Sequence, residues 1–174
     1  MTTNRRQFLA RSSALTGAAM AGSFSGDSSK ATTLLNNMGV MSDGLNRAKL
    51  DLGGFPNRLS VMWAKADATT GNMFNGITGV NTWNGPYNES QPVDTNNKVI
   101  AQTISDGATI EIQREAGTNY AYAYFLRATN VPNAIITEYI KKCTGSDNLT
   151  AATFTNGKCR ATPGTGTTEF GTVD

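Results

Sequence analysis

The sequence predicts an α+β domain, with an N-terminal helix packed on an antiparallel sheet of about four strands and a C-terminal loop bounded by a disulfide. Three observations lead there. Leu34, Met38, Met41, Leu45, Ala48 and Leu52 recur at spacings of 4, 3, 4, 3 and 4, the stripe of a helix with one apolar face. Short runs rich in Ile, Thr and Tyr between 98 and 126 are separated by Gly-containing turns, as in a meander. Two cysteines, Cys143 and Cys159, enclose fifteen residues near the C-terminal end.

The helix is predicted over 31–52, with Asp43, Asn46, Arg47 and Lys49 off the apolar stripe. A coiled-coil seam shares this spacing, but the pattern lasts under three heptads and contains Gly39 and Gly44, which favours packing on a sheet. Gly53-Gly54-Phe55-Pro56 ends it, a glycine being free to adopt the left-handed cap and proline unable to continue. Residues 57–92 read as a long connection with a helical turn near 59–64. Trp63 and Trp83 fall in this stretch, as core aromatics or as ligand platforms.

Strands are predicted at 98–104, 108–114 and 120–126, joined by turns at Ser105-Asp106-Gly107 and Gly117-Thr118-Asn119. In the third, Tyr120, Tyr122 and Tyr124 alternate, a ladder that suits either a half-covered sheet face or a binding stripe. A second helix over 133–143 carries Ile136, Tyr139, Ile140 and Cys143 at helical spacing, with Lys141 and Lys142 where the helix dipole favours cations. A further strand is expected within 148–155, then a turn at Asn156-Gly157, a flexible run at 161–167 and an edge strand over 168–173.

Composition narrows the function. Only 16% of residues are charged, and the net charge of +2 is front-loaded. Without Arg5, Arg6 and Arg11, twelve basic residues face thirteen acidic ones, leaving no basic footprint for nucleic acid. The chain contains no histidine, which removes the commonest general base and transition-metal ligand and any Ser-His-Asp or Cys-His site. No cofactor or metal motif is present, and the expectation is a non-enzyme. The enzymatic alternative is a hydrolase built on carboxylates such as Asp106, Glu111 and Glu115.

Asn4-Arg5-Arg6-Gln7-Phe8-Leu9-Ala10 resembles the bacterial twin-arginine export motif, an arginine pair followed after one residue by Phe-Leu. A soft apolar stretch follows, and Ala19-Met20-Ala21 fits a small-x-small cleavage site. The expected division is an export signal over 1–21, a Ser- and Gly-containing linker over 22–30 and a globular domain over 31–174. No run approaches the ~20 apolar residues of a membrane helix. In an exported chain, two cysteines most simply pair, and closing a fifteen-residue loop is worth roughly 3 kcal/mol. A redox or metal role lacks the close Cys-x-x-Cys spacing.

The order of elements resembles the globular domain of type IV pilins and the pseudopilins of type II secretion. Gly53-Gly54-Phe55-Pro56-Asn57-Arg58-Leu59 looks like that family's Gly-x-Tyr-Pro step. Trp83-Asn84-Gly85-Pro86-Tyr87 is similar to its Trp-x-Gly-Pro-Tyr, and Cys143 to Cys159 looks like its disulfide-bounded region. The resemblance spans about residues 31–159. It implies a structural subunit of a surface filament (fimbrium) serving adhesion, motility or secretion, with other pilin-like subunits as partners and a location in the periplasm, at the cell surface or in an extracellular filament. The family's N-terminal Phe-Thr-Leu-x-Glu and apolar helix are replaced here by Gly22-Ser23-Phe24-Ser25-Gly26. The competing expectation is a soluble exported binding or adhesion module, with Trp63, Trp83 and the tyrosine ladder facing a glycan or another surface ligand.

Overall fold

The computed structural model describes residues 16–115, 123–145 and 158–172, with side chains from Gly26 onward. Helix α1 spans Thr16–Leu52. Its expected stripe is the side that meets the core: Leu34, Met38, Met41, Leu45, Ala48 and Leu52 are all buried. Composition places a linker at 22–30, but α1 runs through it. Ser28 and Ser29 are absorbed into the helix, their carbonyls accepting hydrogen bonds from the Thr32 and Thr33 hydroxyls at 3.0 Å. Side-chain oxygens that compete for backbone groups elsewhere here bond to the preceding turn. At the other end Gly53 takes φ 75°, a left-handed conformation that a Cβ would strain, and donates its N–H to the Lys49 carbonyl.

The connection after α1 is more ordered than a long loop. It contains three short 3-10 turns, Leu59–Met62, Lys65–Asp67 and Thr70–Asn72. Leu59, Val61, Met62, Ala68 and Met73 are buried in it. A bridge between Pro56 and Met73 closes its first half. The Gly85–Pro86 peptide is cis.

Five antiparallel strands form one sheet in the order β1-β2-β3-β5-β4: β1 Val99–Ile100, β2 Thr109–Arg114, β3 Tyr124–Thr129, β4 Cys159–Ala161 and β5 Thr168–Gly171. Several expected strands are corrected. The first is only two residues long, because the chain turns at Ala101, which accepts from Ile104 N, and buries Ile104 completely. Burying that side chain outweighs continuing the alternation. β3 continues to Thr129, past the expected end at 126. Residues 168–171 form an interior strand between β3 and β4, and among the described residues the edge belongs to Cys159–Ala161. The expected strand within 148–155 lies outside the described residues. The run at 161–167 folds into a turn, fixed where Val131 N donates to Gly166 O and Gly164 N to the Asn133 side chain.

Helix α2, Asn133–Thr144, ends at Gly145 in the left-handed conformation. It buries Ile135, Ile136, Tyr139 and Ile140. Tyr139 crosses the core and donates its hydroxyl to the Glu169 carbonyl at 2.8 Å, tying α2 to β5; burial pushes its pKa up. Both helices cover one face of the sheet, where Ile110, Ile112, Leu126 and Ala128 join the core. Cys143, in the last turn of α2, forms a disulfide with Cys159 at the start of β4, with Cα atoms 6.2 Å apart.

Candidate functional site

The face of the sheet away from the helices carries the largest group of charges among the described residues. Strand registers place Glu111 opposite Arg127, Arg127 opposite Glu169, and Glu169 opposite Arg160. Signs alternate across four strands. Opposite charges directly across antiparallel strands attract, so this row reinforces the register it depends on. Arg127 donates twice to Glu169 Oε2 at 3.2 Å, and Arg160 donates to both Glu169 oxygens. Arg160 also forks onto Glu115 at 2.6 and 3.0 Å, the paired geometry a guanidinium makes with a carboxylate. Lys98 lies 3.4 Å from Glu111 at the other end.

The row is shielded from water at Glu169 and Arg160, whose side chains are each 11% exposed, and is more open at Lys98 and Arg127. Beneath it Phe125 is fully buried, with the Arg160 and Arg127 guanidiniums 4.9 and 5.4 Å from its ring centre. Such stacking favours a delocalised cation over an ammonium. Desolvation works against the charge of Arg160, but its bonds to Glu115 and Glu169 prevail and raise its pKa. Its guanidinium in turn holds the Glu115 carboxyl below the usual carboxylate range, against the opposing effect of burial. A cleft of about 380 Å³ lies over the row, walled by Thr162, Thr165 and Thr167. Its charges are already matched with one another.

The proposed hydrolytic carboxylates are not brought together as a free set. Glu111 pairs with Lys98 and Glu115 with Arg160, while Asp106 sits in the β1–β2 turn and accepts from Gln102. A carboxylate held ionised by a forked arginine is a poor general base. Among the described residues, no group of three or more Cys, Asp or Glu has an arrangement that would hold a metal ion, and no helix is long and apolar enough to cross a membrane.

The aromatic candidates separate. Trp83 is structural: its indole N–H donates to the Val61 carbonyl at 2.8 Å, and its ring meets Tyr87 edge-on at 5.5 Å between centres. Tyr124 packs with Phe55 and Phe74, at 4.6 and 5.4 Å. Trp63 instead lines a groove of about 410 Å³ against α1, with Asn37, Val40, Met41, Asn88 and Gln91. Tyr120 and Tyr122 lie outside the described residues. So do Arg5, Arg6, Phe8 and Leu9 of the export signal, while Ala19 and Ala21 fall in the backbone of α1.

Sequence reasoning missed the charge row, and of the groove it offered Trp63 alone, as a ligand platform. The row depends on strand registers that no local pattern specifies. For the groove, the nearest signal is the amide-rich stretch around Asn88 and Gln91. Compared with protein-family models, curated proteins and solved structures, the chain matches none.

Proposed function

We propose that this protein is an exported, non-enzymatic structural subunit of a pilus-like surface filament. The observation that carries this reading is the exposed apolar end of a long helix braced on a sheet. Leu50, in the last turn of α1, is 84% exposed, and Ile77 is 61% exposed. Asn75 brings the two to the same end of α1, donating to the Gly53 carbonyl while its side-chain oxygen accepts from Ile77 N. A contiguous exposed apolar patch commonly marks a contact with another protein, and these two side chains are read as belonging to one. In this reading they meet a neighbouring subunit, and the disulfide reinforces the C-terminal part of the sheet in an oxidising compartment.

The twin-arginine-like segment supports export, and the resemblance of 53–59, 83–87 and the cysteine-bounded region to pilins supports assembly. Electron microscopy of the full chain recovered from a bacterial host tests the reading, with mass spectrometry of the same sample. Filaments, and a mass beginning near Gly22 with two hydrogens missing for the disulfide, are expected. A monodisperse monomer that retains residues 1–21 overturns it. The second reading, a soluble binding or adhesion module, is favoured by the groove beside Trp63.

A further inference from the structure

We propose that the groove between α1 and the β1 edge binds a neutral saccharide, with Trp63 as the stacking platform and the Asn37 and Gln91 amides as hydroxyl-binding groups. The groove is longer than the space around Trp63. A second hollow of about 240 Å³ shares Asn37, Met41 and Gln91 with the first and continues along Pro92, Val99 and Gln102. The larger hollow alone falls within the ~300–1,000 Å³ range of small-molecule sites.

Its chemistry selects among ligands. The Asn37 and Gln91 side chains make no hydrogen bond with other described residues, nor does the Trp63 indole N–H, whereas that of Trp83 is bonded to Val61. Primary amides offer both donors and acceptors, as a row of hydroxyls requires, and the partly buried Trp63 indole offers an apolar plate with a polar edge. Charged ligands fit less well. The lining of the larger hollow holds one cation, Arg47, which also donates to the Tyr87 carbonyl, and one anion, Glu89, so it carries no net charge to select a charged ligand. An extended peptide would require open main-chain groups on β1, but the chain itself occupies them: Ile100 N donates to the Pro92 carbonyl, and Val93 bridges to Val99. What remains for a ligand is side-chain amide and indole, the equipment for an uncharged polyol ring.

The site needs only one copy of the chain, so its test is separate from that of filament assembly. The full chain is titrated by calorimetry and ligand-observed NMR with neutral tetrasaccharides of glucose, galactose, mannose and N-acetylglucosamine, alongside sialylated and sulfated sugars and an uncharged peptide. Binding of at least one neutral tetrasaccharide is expected. Trp63→Ala should weaken it about tenfold or more, and Gln91→Ala and Asn37→Ala several-fold each. Because Trp63 also touches the core, the two amide variants, checked for unchanged circular dichroism, keep the test decisive if Trp63→Ala misfolds. The proposal is overturned if no neutral saccharide binds, if the peptide or only the charged sugars bind, or if binding survives both amide substitutions undiminished.

Discussion

Arg160 joins two carboxylates and one aromatic ring, and its partner Glu115 gives the protein a defined response to acid. The folded-state pKa of Glu115 is depressed, so pairing contributes stability above the unfolded-chain carboxylate pKa of ~4.3 and loses it as pH falls through the folded value. The melting temperature should therefore drop as the pH is lowered through and below that range. Glu115→Gln should melt lower at neutral pH and show a shallower acid slope, measured by thermal unfolding across pH. An equal slope in both proteins would mean that the pair carries none of the acid sensitivity. None of this was legible in the sequence, where Glu115 and Arg160 stand 45 positions apart and only strand pairing makes them neighbours. Trp63 and Trp83 also look equivalent in sequence; the hydrogen bond from Trp83 to Val61 distinguishes them.

At the scale of elements, one crosslink joins the second helix to the short strand β4. β4 is three residues long and, among the described residues, pairs only with β5, while the disulfide fastens its first residue to α2. Opening a closed loop of this length costs about 3 kcal/mol in the chain-entropy account, or on the order of 10 °C in melting temperature for a domain of this size. Cys143→Ser with Cys159→Ser should show that drop by calorimetry, and a reducing agent should reproduce it in the native protein. The elements legible in sequence were those with a strong period of their own. The α1 stripe needed only its spacing, and α2 its Ile136, Tyr139 and Ile140. The end of β1 was not legible, because Ile104 satisfies an alternating pattern while the chain has already turned to bury it. The sheet order was also hidden, since pairing across the sheet leaves no local trace.

For the whole molecule, the two proposed surfaces lie on different parts of the fold and should respond independently. Leu50→Glu with Ile77→Glu places charge where neither side chain supports the core, so the melting temperature should change little while filament formation is lost in electron micrographs. Saccharide binding at Trp63 should persist in that variant. Filaments that survive both substitutions would place the subunit contact elsewhere on the molecule. The overall class was readable because helix period, turn chemistry and cysteine placement all point to the same α+β arrangement. The groove was not, since it arises where 37–41 and 91–102 meet in space.

The interior position of β5 has a consequence for how the protein folds. β4 precedes β5 in the chain but finds its only strand partner among the described residues there, and β3 gains its second neighbour from the same four residues. Without residues 168–171, β3 keeps one strand neighbour, β2, and β4 keeps none among the described residues. Residues 168–171 join the two parts of the sheet, so the pairing of β3 with β4 through β5 is a late, long-range step rather than one built stepwise along the chain.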